Sequence, residues 1–181
     1  MNFDIDMLMH MAHSPRSNYI VPGLTSWLIG TPHPDKGCVR LFHCSRNHQE
    51  NIVPHSHRFD FQCVVLKGTV WNIEWGIDET GDEFYMSTLR TGSDIGTYTH
   101  DARSKMVERF RPFPARHGEG ETYSMEHNQI HSIEFERDTY VLFFEGPKKT
   151  DETTVLEPYV DGARIPTFKV DPWMFLKGNT Q

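Results

Sequence analysis

The sequence predicts an all-β fold, an antiparallel sandwich or barrel of short strands preceded by a short N-terminal helix. Two observations carry this expectation. Nine short runs (residues 26–29, 38–44, 59–66, 69–75, 84–89, 106–113, 121–125, 130–135 and 140–145) are apolar or alternate apolar with polar, and no convincing helical stretch lies between them. Turn chemistry punctuates the runs: Lys67-Gly68, a polar tip at residues 78–82 that reads as a hairpin end, residues 118–120 and Arg137-Asp138.

Taken in order, residues 3–13 place Phe3, Met7, Leu8 and Met11 at three- and four-residue spacings, which predicts a short amphipathic helix. The runs from 26 to 146 form the barrel core, with residues 1–25 as an N-terminal extension and 147–181 as a C-terminal one. Residues 91–105 are polar and contain glycine, the composition of a long surface excursion. The tetrad Trp173, Met174, Phe175 and Leu176 is expected to pack back onto the barrel. One domain is the natural reading of 181 residues, a length that buries a sizeable core.

Composition excludes several function classes. The 18 Lys+Arg stand against 25 Asp+Glu, a formal charge of −7, and no basic cluster is present, so nucleic acid is not an expected partner. No apolar run approaches a membrane span, and the N-terminal apolar cluster follows Asp4 and Asp6 where a signal peptide would carry Lys or Arg. Three cysteines and no glycosylation sequon favour a reduced, cytoplasmic setting.

What stands out is a count of 11 histidines. His55 and His57 are separated by one residue at the start of a predicted strand. Side chains alternate faces there, so both imidazoles point the same way with β-carbons roughly 7 Å apart, within reach of one metal ion. Further on, a strand runs into Glu126, His127 and Asn128, and His131 opens the next strand. His10, His13, His33, His48, His100 and His117 lack ligand spacing and read as surface residues. His43 and His127 are near candidates, His127 being the competing third ligand if the turn lies elsewhere.

These residues resemble the two motifs of the cupin family: His55, His57 and Gly68 match the first, and His131 the second. The resemblance implies a double-stranded β-helix, or jelly roll, in which three imidazoles converge on a metal inside the barrel. The usual acidic fourth ligand is replaced by Phe61 or Gln62, of which strand alternation turns Phe61 inward. Gln49 stands where the motif has glycine, and residues 126–128 where it has Pro-x-Gly. A three-His site without the carboxylate resembles the thiol dioxygenase branch. The stretch from His55 to Phe61 and the run 142–147 resemble uncharacterised cysteine-dioxygenase-like cupins, some of phage origin. The Ser-x-His-x-Tyr array of cysteine dioxygenase itself has no counterpart after His131.

The resemblance implies Fe(II) as the first choice of metal, with Zn(II), Ni(II) and Mn(II) open because imidazole binds all of them. Three protein ligands leave positions for a small-molecule substrate and for dioxygen. The expected function is a non-haem Fe(II)-dependent oxygenase. A non-catalytic cupin with a structural metal or a ligand-binding role, as a sensor or phage accessory protein, is the alternative; a metal-dependent isomerase or lyase is a further one. Tyr123 reads either as a donor to a bound ligand or as a core tyrosine with its hydroxyl at the rim, and the strand pattern offers Arg40 as an inward residue to pair an anionic substrate. Arg58, Asp60 and Gln62 read as outer-face residues with an Arg58–Asp60 pair, and Cys63 as a small buried group. Cupins commonly pair through sheet edges, so a homodimer is expected by resemblance.

Overall fold

The structure, a computed structural model, describes residues 3–17, 22–33, 35–47, 53–91, 98–100 and 106–159. Helix α1 (Ile5–Met11) begins where Asp4 Oδ1 accepts the backbone N–H groups of Asp6 and Met7 at 2.9 and 3.3 Å, satisfying donors that the first turn leaves open. It ends earlier than the periodicity predicts. Ala12 already has extended backbone and opens β1 (Ala12–Arg16), which pairs with β2 (Leu24–His33). A tertiary strand pairing overrides the last helical turn.

Strands β3 (Gly37–Cys44), β4 (Phe59–Lys67), β5 (Thr69–Thr91), β6 (Tyr98–His100), β7 (Met106–Gly118), β8 (Thr122–Met125), β9 (His131–Phe135), β10 (Thr139–Lys148) and β11 (Glu152–Pro158) complete two antiparallel sheets. One has the order β1-β2-β3-β10-β4-β8. The other is built on β5, which pairs with β7, with β9 beside its first half, and with β11 and β6 beside its second. From β3 onward the chain crosses repeatedly between the sheets, with residues 54–57 held between β9 and β11. This is an all-β jelly roll, as the sequence predicts. Leu24, Phe61, Cys63, Val65 and Val141 from the first sheet meet Val70 and Phe135 from the second in the interior. Leu8 of α1 packs on Leu41 and Leu142 on the outer side of the first sheet.

The tip predicted at residues 78–82 is not a hairpin end. Ile77 and Asp82 both register with Phe110, so residues 78–81 are extruded as a bulge within the single strand β5. Asp78 Oδ1 accepts from Thr80 N and Oγ1 at 2.8 and 2.6 Å, a local turn that serves a bulge as well as a hairpin and so misleads a reading of composition. Strand β6 lies inside the expected surface excursion and pairs with the end of β5, which itself reaches Thr91; residues 92–97 and 101–105 fall outside the described residues, as does the tetrad at 173–176. β1 and β11 occupy stretches read as extensions, and both join the sheets.

At the β4–β5 corner Gly68 has φ +83°, and a β-carbon there would lie 2.5 Å from Thr139 Oγ1. The same hydroxyl accepts from Thr69 N and donates to Thr69 O, so the corner is locked to β10.

Candidate metal centre

The segment carrying His55 and His57 is not itself a strand; β4 begins only at Phe59. It is fixed instead by backbone bonds on both sides. His55 N donates to His131 O and His131 N to His55 O, each at 2.9 Å, while Ser56 N donates to Thr154 O at 2.8 Å and His57 N to His127 O at 3.0 Å. The alternation inferred from sequence therefore operates, although one partner is β11, a strand the sequence reading does not contain.

The three imidazoles of His55, His57 and His131 form a near-equilateral group. Ring centroids are 4.9, 5.0 and 5.2 Å apart, and one ligand nitrogen from each lies within 4.8 Å of the others. His57 Nε2 and His131 Nε2 are 2.9 Å apart. The opposite nitrogens are occupied: His55 Nδ1 lies 2.8 Å from Val53 O, and His131 Nδ1 lies 2.7 Å from Asn72 Oδ1. Both partners accept, so each Nδ1 carries the proton and each Nε2 presents a lone pair. Burial pushes all three imidazoles below the ordinary histidine range, and the charges of the neighbouring imidazoles lower His57 and His131 further. They are neutral at pH 7, the form that ligates a metal.

Among the described residues this is the one group of three or more His, Cys, Asp or Glu side chains able to hold a metal ion. Where a carboxylate ligand would stand, Phe61 sets its ring against His57 at 4.8 Å, edge-on, and against His131 at 5.5 Å. The donor set is three neutral imidazoles, which suits borderline divalent metals and leaves coordination positions free.

Both additional ligands considered from sequence are displaced. Gln62 is exposed on the outer face of β4, because the strand runs without a bulge there and alternates regularly between Phe61 and Cys63. His127 turns toward Asp60, whose Oδ1 lies 3.1 Å from Nδ1 and accepts the His127 backbone N–H at 2.9 Å. Asp60 also meets Lys149 Nζ at 3.3 Å, so the expected Arg58–Asp60 pair gives way to these partners. Arg58 is not an outer-face residue: it precedes the start of β4, where alternation does not yet hold, and it lines the cavity beside the histidines. His43 faces outward, stacked on Tyr140 at 4.3 Å. His117 is not a plain surface residue, since its ring stacks on Tyr123 at 4.5 Å.

The cavity has a volume of about 100 Å³ and is lined by the rings of Phe42, Phe59, Phe61, Phe135 and Phe143 among other side chains. Besides the histidines and Arg58, polar side chains at Arg40, Glu145 and Tyr123 interrupt them. Arg40 lies on the inner face of β3, 3% exposed, with Nη1 3.5 Å from Ser26 Oγ. Glu145 accepts the Cys38 thiol at 3.2 Å; burial raises its carboxyl, against the opposing pull of that thiol and of Arg40 and Arg58. Tyr123 is buried with its hydroxyl lacking a well-oriented hydrogen-bond partner, and its ring is cross-strand from Cys63. Burial pushes Cys63 to about 12 and Tyr123 well above its ordinary value, so both stay protonated.

Asn72 and Glu145 are absent from the residues singled out in the sequence. A signal exists for each: Asn72 is polar at an inward position two residues after Val70, and Glu145 ends the inward series Val141, Phe143.

Fold and site together define a jelly-roll domain with a buried three-histidine cluster. No family model and no curated protein matches the chain. Among solved structures it is similar to KdgF from Halomonas sp., at 15% identity and TM-score 0.41 over 82% of this chain and 89% of that one. A cupin superfamily protein from Desulfitobacterium hafniense is similar at 11% identity and TM-score 0.41, over 75% and 84%. Hydroxypropylphosphonic acid epoxidase from S. wedmorenis is similar at 12% and 0.46, over 74% of this chain and 54% of that one. No helix among the described residues is long and apolar enough to cross a membrane.

Proposed function

We propose that the chain is a metal-binding cupin acting as a non-haem Fe(II)-dependent oxygenase on a small molecule. The observation that carries this reading is the gathering of one ring nitrogen each from His55, His57 and His131 within 4.8 Å of one another beside a cavity lined by phenylalanine, with the outer nitrogens of His55 and His131 held by Val53 O and Asn72. Fe(II), bound by His55, His57 and His131, supplies the one-electron chemistry that dioxygen requires. Zn(II), Ni(II) and Mn(II) fit the same donors.

The protein's own groups do the rest. Phe61 withholds a protein carboxylate and leaves that side of the cluster to an incoming ligand. The phenyl walls exclude water, which strengthens every electrostatic contact made inside. Arg40 holds the charged end of an anionic substrate, and the Tyr123 hydroxyl, buried with only the Cys63 thiol beside it, donates to the bound molecule.

Metal analysis of protein purified without added metal and after anaerobic Fe(II) reconstitution is the first test. The reading expects one ion per chain in the wild type and loss in His57→Ala; no stoichiometric metal in either preparation overturns it. Oxygen electrode measurements with small carboxylates and thiols test the redox half. Turnover with Zn(II) or Ni(II) and no oxygen demand would replace the oxygenase by a Lewis-acid isomerase or lyase.

A further inference from the structure

The inner cavity does not stand alone. A cleft of about 240 Å³ opens on the surface between the end of β2, at Pro32 and His33, and the end of β10, at Gly146 and Lys148. Arg58, Phe59 and Glu145 line both this cleft and the histidine cavity. These side chains therefore form a shared wall between the surface cleft and the inner cavity, with the Phe59 ring 5.4 Å from that of His57. Arg58 is the residue directly after His57, so whatever passes this wall arrives beside the cluster.

The charges along that line have a direction. Lys148, ion-paired with Asp151, stands at the outer end, Arg58 and Glu145 at the wall, and Arg40 inside. Cationic groups outnumber carboxylates among these five, and a divalent ion held by the neutral ligands His55, His57 and His131 would add positive charge at the inner end. Glu145 is held in place by the Cys38 thiol at 3.2 Å and is attracted electrostatically to both arginines. A small anion can compete with that carboxylate for the attraction of Arg58, whereas a neutral molecule of the same size cannot.

We propose that Arg58 and Glu145 form the threshold of an entry path from this cleft to the histidine cavity, and that the threshold selects small anions carrying a carboxylate or a comparable group. The proposal rests on the metal-centre reading for its destination; the path and its selectivity stand on the shared wall. Arg58 acts as a specificity residue at the entrance, distinct from Arg40, which meets the substrate inside.

Fluorine NMR tests it with two near-isosteric probes, trifluoroacetate and trifluoroethanol, on the full chain. In the metal-free protein, trifluoroacetate is expected to show exchange broadening several-fold greater than trifluoroethanol. Arg58→Gln removes that difference and Arg58→Lys restores most of it, while Glu145→Gln, which removes the competing charge, increases it. Lys148→Cys capped with a bulky maleimide abolishes the broadening; the three native cysteines are buried and serve as the unlabelled control. Equal broadening by both probes, or full broadening with the cleft capped, overturns the proposal. Adding Co(II) separates it from the metal reading: paramagnetic relaxation of bound trifluoroacetate, lost in His57→Ala, places the anion at the cluster. Anion-selective broadening with no paramagnetic effect leaves the threshold standing and the metal reading failed.

Discussion

His131 Nδ1 lies 2.7 Å from the side-chain carbonyl of Asn72, across the pairing of β9 with β5. Asn72 is 2% exposed and aligned with Ile133, two residues along from His131, so strand register brings the amide to the ring. That contact keeps the proton on Nδ1 and turns Nε2 toward His57. Asn72→Leu is expected to weaken Co(II) or Zn(II) binding about 10- to 100-fold in a chelator competition, and Asn72→Asp, which retains the acceptor, to keep most of the affinity.

Phe61 invites the converse experiment. Phe61→Glu places a carboxyl among three imidazoles and removes packing against Phe143, whose ring centroid is 4.9 Å away. Without metal the variant should lose about 3 kcal/mol or more in urea unfolding, from a lost aromatic and a buried unpaired polar group. A divalent ion should recover a larger share of that loss than it adds to the wild type. Equal metal effects on the two would show that residue 61 does not face the ion.

Acid should destabilise the metal-free protein early. The three ligand histidines have folded-state pKa values below the ordinary 6.5, so between that value and their own the unfolded chain binds protons that the folded chain refuses. Stability is full above pH 6.5 and falls as pH drops below it, by up to about 1.4 kcal/mol per pH unit for each histidine. Urea midpoints between pH 7.5 and 5 measure the slope, which His131→Gln should reduce. Saturating metal should steepen the loss, because protons then compete with the ion as well.

The Tyr123 hydroxyl offers a stability–function contrast. It is buried with no well-oriented partner beyond the weakly accepting Cys63 thiol, so Tyr123→Phe should raise the stability of the ligand-free protein by about 1 kcal/mol. The same change should weaken binding of whatever accepts from that hydroxyl, seen as a raised KM once a substrate is found. A destabilised Tyr123→Phe would assign the hydroxyl to holding the fold.

Much of the site is legible from strand alternation alone. It sets His55 with His57, turns Phe61, Cys63 and Arg40 inward, and sends Gln62 out. It fails where the backbone leaves the ladder. Arg58 lies before the first β4 residue, and residues 78–81 leave β5 without ending it, because an Asx turn has the same composition in a bulge as at a hairpin tip.

The sequence by itself determined an all-β chain with two inward histidines and a third at the start of a later strand, since a period of two needs only local residue order. The tertiary structure decided that these three meet, because the meeting depends on residues 54–57 lying between β9 and β11, strands distant in the chain. It also decided the proton positions on two of the rings and the shared wall at Arg58 and Glu145. Hydrogen bonds and charges at such separations depend on register between strands, which hydrophobic pattern does not specify.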